Sequence, residues 1–104
     1  MKLELTSEIF YAQDMKHLEL TITGKVQGVC FRSLAQVLAK DLGLTGYIEN
    51  REDGSVYIEA EGTDKDLETL LDWSYIGPDL AEVKKVEVQW SDRFCGYTDF
   101  SIRD

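Results

Sequence analysis

The chain has 104 residues, enough for one domain with one core and too few for two. Its hydrophobic fraction of 43% is ordinary for a globular protein, but 20 Asp and Glu against 11 Lys and Arg leave a net charge of −9. That balance argues against general affinity for nucleic acid or anionic membrane, and it requires any anionic ligand to find a local positive site.

Residues 1–14 stand apart. Lys2, Glu4, Glu8 and Asp14 interrupt them, so they do not read as a secretory signal. No apolar run approaches the ~20 residues of a membrane span, so the cytoplasm is the expected compartment. The opening "MKLELT" is echoed by "MKHLELT" at 15–21. The echo fits either a start at Met15 with an upstream extension or an extra edge segment, and no function is assigned to it. The domain itself is expected over residues 15–104.

"HLELTITGKV" alternates, with Leu18, Leu20 and Ile22 on one face and Glu19, Thr21 and Thr23 on the other, as in a half-buried strand. From Phe31 the period changes. Phe31, Leu34, Ala35, Leu38 and Leu42 recur at helical spacing, and Gly43 supplies a stop. "TGYIEN" reads as a short strand, "REDG" as a turn around Asp53-Gly54, and "SVYIEAEG" as a second alternating strand. Val56, Ile58 and Ala60 point to the core; Ser55, Tyr57, Glu59 and Glu61 point outward. Thr63 caps a second helix, with Asp66 three residues on. Leu67, Leu70, Leu71 and Tyr75 form its apolar stripe, and Gly77-Pro78 ends it. "VKKVEVQW" is a strand with Val86, Val88 and Trp90 on one side. "YTDFSIRD" is a short last strand with Phe100 and Ile102 inward.

The order β-α-β-β-α-β plus a fifth strand predicts an α+β, ferredoxin-like sandwich. Two right-handed crossovers and one hairpin place both helices on one face of an antiparallel sheet. The first and second strands then run the same way with the third between them, so their exits near residues 25 and 50 share one end. The loop of Cys95 falls at the other end from Cys30. A strand of ~8 residues spans roughly 25 Å, well beyond the ~7 Å between the Cα atoms of a disulfide. Both cysteines are expected as free thiols, and they are too few and too far apart for a zinc site or a redox pair.

Between the first strand and the first helix lies "GKVQGVCFR", residues 24–32. Exposed backbone N–H groups leading into a helix N-terminus make an anion site. Gly24 and Gly28 let several amides turn inward, and Arg32 adds a forked donor pair matched to phosphate oxygens. The plainer alternative is a tight turn followed by a solvated arginine. A cation in the first turn of a helix opposes the helix dipole, which favours a ligand for Arg32.

These residues resemble the acylphosphatase signature, G-x-V-Q-G-V-x-[FY]-R, matched at every fixed position. A second block of that family, G-[FYW]-x-x-N-x-x-x-G-x-V followed by a Gly, is met by "GYIENREDGSV" and Gly62. "LTG" before it, "GP" at 77–78 and "YTDFSIR" near the end are similar as well, so the likeness covers about residues 17–103. The resemblance implies that Arg32 and the loop of Gln27, Gly28, Val29, Cys30 and Phe31 bind a phosphoryl group. It implies that Asn50 orients the attacking water, and that a carboxyl-phosphate anhydride is hydrolysed to carboxylate and phosphate. No metal or cofactor is implied, the small acyl phosphate and inorganic phosphate are the only ligands, and the chain is expected to act as a monomer. Three positions depart from the family pattern: Glu49, where a basic or neutral residue is usual; Ile48, where a smaller one is; and Ala35, where threonine is common.

The residue inventory agrees with that chemistry. The single histidine, His17, is expected on the surface and far from the loop, so no Ser-His-Asp set can be built. No ligand cluster suits a metal. A carboxylate is already a good leaving group, so placing a water and holding phosphoryl charge can suffice. Cys30 reads as a small packed residue rather than a nucleophile, although a helix N-terminus lowers a thiol pKa. Two other functions are compatible with the same order of elements. Single-stranded RNA binding needs an aromatic, basic sheet face, and Tyr57 among carboxylates supplies neither. A non-catalytic anion-binding or interaction module would bind phosphate without hydrolysing anything.

Overall fold

The computed structural model describes residues 15–104; both readings of residues 1–14 lie outside the described residues. Seven elements follow in order: β1 (Lys16–Lys25), α1 (Phe31–Asp41), β2 (Thr45–Asn50), β3 (Val56–Gly62), α2 (Asp64–Ile76), β4 (Glu82–Ser91) and β5 (Phe100–Arg103). The sheet order is β4-β1-β3-β2-β5. β1 and β2 both pair antiparallel with β3 between them, β4 pairs antiparallel with β1, and β5 runs parallel to β2. The sheet is therefore mixed rather than wholly antiparallel, because the short last strand joins the far edge beside β2. The exits of β1, β2 and β5 share one end.

The core lies between the sheet and the two helices. Leu18, Leu20, Ile22, Ile48 and Ile58 from the strands meet Ala35, Ala39, Leu67 and Leu70 from the helices, all with no exposed surface. Leu34 and Tyr75, expected in the helical stripes, are instead about half exposed. Phe31, Ala35 and Ala39 carry the buried face of α1, and Ser74, whose hydroxyl donates to the Leu70 carbonyl at 2.8 Å, takes the place given to Tyr75 in α2. Thr63 caps α2 as expected, its Oγ1 accepting from the Asp66 N–H. On β4, Val86, Val88 and Trp90 pair with Ile22, Leu20 and Leu18. Val88 and Trp90 stay partly exposed because β4 is an edge strand.

At Thr23/Gly24 the β1–β4 register shifts by a bulge. Gly24 has φ 129°, and a Cβ there would overlap the Glu82 carbonyl, so β4 can close against β1 only where β1 has no side chain. Pairing resumes beyond the bulge through Gly24 and Lys25, after which the chain enters the loop that precedes α1.

The helix-free face holds the largest departure from expectation. Ser55, Tyr57 and Glu61 are buried rather than outward-facing in water, and His17 is fully buried rather than on the surface. The segment between β4 and β5 folds over this face: the Cys95 and Gly96 N–H groups donate to the Glu61 carboxylate at 2.6 and 3.0 Å. His17 sits 2.9 Å from Glu61 through Nδ1 and 2.9 Å from Arg93 through Nε2. Arg93 also donates to Glu19 at 2.6 Å, and the hydroxyls of Tyr47, Tyr57 and Tyr97 all donate to Glu59. With Tyr57 covered, the face offers no stacking platform for RNA. Among the described residues no helix is long and apolar enough to cross a membrane.

Candidate active site

The loop leaving β1 and the end of β2 meet as the topology requires. One pocket of about 170 Å³ is lined by Val26, Gly28, Cys30, Phe31, Arg32, Ser33, Asn50 and Ile102. The first helical bond of α1 runs from the Leu34 N–H to the Cys30 carbonyl, so the N–H groups of Phe31, Arg32 and Ser33 precede it and have no partner within the helix. Gly28 has φ 74° and nothing within 4 Å of where a Cβ would stand, so a glycine here serves the backbone turn and leaves the approach open. Cys30 adopts φ 67°, the left-handed region a non-glycine residue seldom enters. It is exposed rather than packed, which corrects the sequence expectation for its side chain. It turns the chain into α1, whose first three residues line the pocket. Ser33 Oγ donates back to the Cys30 carbonyl at 3.2 Å.

Arg32, part exposed, reaches across to the end of β5. Its Nη1 donates to the Arg103 carbonyl at 3.3 Å and to the Asp104 carboxylate at 3.4 Å. These bonds hold the guanidinium at the pocket with one nitrogen, leaving its other donors for a ligand. Asn50, the last residue of β2, pairs with Val56. Its Oδ1 is buried without a hydrogen-bond partner, a rare state for a polar atom and a costly one. The following turn does not use this side chain: Asp53 Oδ1 accepts from the Ser55 N–H at 2.9 Å and hydroxyl at 2.6 Å. Those bonds from Ser55 hold the Asp53 carboxyl below its ordinary pKa.

Of the loop residues read from the sequence, Gly28, Cys30, Phe31 and Arg32 line the pocket with Asn50, while the side chains of Gln27 and Val29 do not. Gln27 Nε2 donates to the Arg51 and Ser55 carbonyls at 2.8 and 2.9 Å, tying the loop to the β2–β3 turn. Val29 is buried. Ser33, Ile102 and the Arg103 and Asp104 contacts were not anticipated; the "YTDFSIR" likeness was the one signal that the chain end belonged here. Glu49 alternates away from Asn50 and accepts from Arg51 Nε at 3.2 Å, so its charge does not face the pocket. Ala35 is a core residue.

A cluster of donor side chains that the sequence did not suggest lies at the other end of the sheet. His17, Glu59 and Cys95 bring ligand atoms within 4.8 Å of one another, but the Arg93 guanidinium fills their midst and supplies the cation. The two cysteines are free and at opposite ends.

A family model for acylphosphatase matches residues 18–102. The chain belongs to the acylphosphatase family. An acylphosphatase of Shewanella amazonensis is 46% identical over 88 residues, 85% of this chain and 97% of the relative. One from Salinibacter ruber is 42% identical over 88 residues, 85% of this chain and 93% of the relative. In three dimensions, the crystal structure of acylphosphatase from Bacillus subtilis superposes with a TM-score of 0.83 at 32% identity, covering 86% of this chain and 99% of that one. An acylphosphatase-family enzyme is thus what the fold carries, and the ferredoxin-like arrangement is that of its relatives.

Proposed function

We propose that the enzyme hydrolyses acyl phosphates by direct attack of water on phosphorus. The observation that carries this reading is the meeting of Arg32, the start of α1 and the buried, unpartnered Asn50 Oδ1 around one small pocket. The phosphoryl oxygens lie against the unpaired amides of the loop from Gln27 to Arg32 and against the free donors of the Arg32 fork. Asp104 is fully exposed, so its hold on Arg32 is weak and yields to a dianionic phosphoryl group. Asn50 Oδ1 accepts a hydrogen bond from the water and aims a lone pair at phosphorus. The new P–O bond forms as the bond to the acyl oxygen breaks; the electron pair leaves with the carboxylate, and the water proton ends on phosphate. Positioning and fixed positive charge carry the catalysis.

The test is hydrolysis of benzoyl phosphate with inorganic phosphate as competitor. Release of benzoate, inhibited competitively by phosphate, is expected. Phosphate binding without benzoate release overturns the catalytic reading and leaves an anion-binding module.

A further inference from the structure

Alternation puts His17 and Glu19 of β1 and Glu59 and Glu61 of β3 on the helix-free face. The antiparallel register then sets His17 opposite Glu61 and Glu19 opposite Glu59. Arg93 and Cys95 come over them on the segment between β4 and β5. The hydrolytic reaction uses none of these groups, although His17 and Glu61 are fully buried.

The hydrogen bonds fix the tautomer of His17. Glu61 Oε2 is an acceptor, so Nδ1 carries the proton; Arg93 only donates, so Nε2 presents its lone pair to the guanidinium. An imidazole oriented through its Nδ1–H by a carboxylate is the form in which histidine ligates a metal. Glu59 is oriented in the same way. Tyr47 and Tyr57 donate to its Oε2 and Tyr97 to its Oε1, which stands 3.2 Å from His17 Nε2. Glu19 Oε2 lies 3.4 Å from the same nitrogen. Both separations match the edge of a tetrahedron of N and O ligands around zinc, roughly 3.3 Å for bonds of about 2.0–2.1 Å. Cys95 is exposed, and its Sγ lies within 4.8 Å of a ring nitrogen of His17 and a carboxylate oxygen of Glu59, at the fourth corner on the solvent side. The space between these atoms is already held by a cation. Arg93 Nη2 is 2.9 Å from His17 Nε2, 2.6 Å from Glu19 Oε2 and 3.6 Å from Glu59 Oε1. Its side chain is 54% exposed, so the guanidinium can turn out into water while the Cys95 and Gly96 N–H bonds to Glu61 keep the segment in place. Glu19, Glu59 and Glu61 outnumber the one guanidinium, which favours a dication, and the imidazole and thiol among the donors select zinc over magnesium or calcium.

We propose that this centre is a Zn²⁺ site, with His17 Nε2, Glu19 Oε2, Glu59 Oε1 and Cys95 Sγ as ligands, which the ion enters by displacing the Arg93 guanidinium. The Cys95 thiol gives its proton to solvent and its sulfur lone pair forms the bond to zinc. The centre lies at the opposite end of the sheet from Arg32 and Asn50, so the ion ties the segment after β4 to the sheet and takes no part in hydrolysis. The test titrates the full chain, treated first with a chelator, with Zn²⁺ by calorimetry and with Co²⁺ by absorption, beside Arg93→Ala, Cys95→Ser and Cys30→Ser. Wild type is expected to bind one Zn²⁺ per chain, and its melting temperature to rise by about ten degrees at a hundredfold excess of zinc over the Kd. Arg93→Ala should bind about tenfold more tightly, because the competing cation is gone. Cys95→Ser should bind about tenfold or more weakly and lose the thiolate-to-cobalt charge-transfer band, which Cys30→Ser should keep. Absence of saturable binding by wild type overturns the site. So does a Kd that Arg93→Ala or Cys95→Ser leaves unchanged, which puts zinc on surface carboxylates, and so does a cobalt band lost in Cys30→Ser instead.

Discussion

Arg32 and Asn50 divide the proposed chemistry between binding and attack, and single substitutions separate the two. Arg32→Ala is expected to fold and to lose both activity and phosphate affinity, by about 10²–10³ in rate for a lost charge-assisted contact to the phosphoryl group. Lys at position 32 should also fail, because it lacks the planar fork; activity within a few-fold of wild type in either variant removes Arg32 from the mechanism. Loss of Asn50 should instead lower kcat far more than it weakens inhibition by phosphate, since a water contact acts in the transition state and not in the phosphate complex. Asn50→Asp should be at least as impaired as Asn50→Ala, because it brings negative charge beside the phosphoryl group. If Asn50 only shaped the β2–β3 turn, both variants would melt early and stay active. The turn's own side-chain bonds come from Asp53 and Gln27, not from Asn50, which argues against that outcome. Melting temperature, kcat and phosphate inhibition measured on the same two variants decide it.

At the scale of elements, the loop after β1 and the turn after β2 act as one unit because Gln27 bridges them. Gln27→Ala should cost about 1–2 kcal/mol for two hydrogen bonds, a fall of several degrees in Tm for a domain of this size. It should also lower kcat, because the loop amides and Asn50 lose their common tie. Thermal melts and benzoyl phosphate kinetics on the same variant check both, and an unchanged kcat would show that the bridge is only structural. Strand order and the shared end of β1 and β2 were legible in the sequence because alternation and helical spacing are local signals that survive folding. The buried faces of the helices were less so. Leu34 and Tyr75 fit a helical stripe by spacing, yet which edge of the stripe is covered depends on how far the neighbouring helix and sheet extend. The glycines and Arg32 of the loop were legible as an anion site, whereas its tie to Arg103 and Asp104 depends on β5 running parallel to β2 at the sheet edge.

At the scale of the whole molecule, the chain separates its two polar centres to opposite ends of the sheet, about 30 Å apart along β1. The end around His17 left no trace in the sequence because its members, residues 17, 19, 59, 61 and 93, meet only through strand register and the fold-over of the segment after β4. Its electrostatics set the acid limit of the fold. Burial by itself would raise the Glu59 and Glu61 carboxyls; the tyrosine hydroxyls on Glu59, and the Cys95 N–H, His17 and the Gly96 N–H on Glu61, outweigh it and leave both pKa values below the ordinary one. A carboxyl depressed in the folded state contributes stability that is complete above its unfolded pKa, about 4.3 for Glu, and that is lost as pH falls toward the folded value. The melting temperature should therefore hold from neutral pH to about pH 5 and drop steeply below about 4. Glu61→Gln removes one of these groups and keeps the size of the side chain. It should be less stable than wild type at neutral pH, since a neutral amide replaces a carboxylate that receives two backbone N–H bonds. It should also lose less stability between pH 5 and pH 3. Parallel melting curves for the two chains that keep a constant gap across that range would show that Glu61 does not set the acid limit. Because the site of Arg32 and Asn50 lies at the other end of the sheet, the same variant should keep its kcat on benzoyl phosphate at neutral pH.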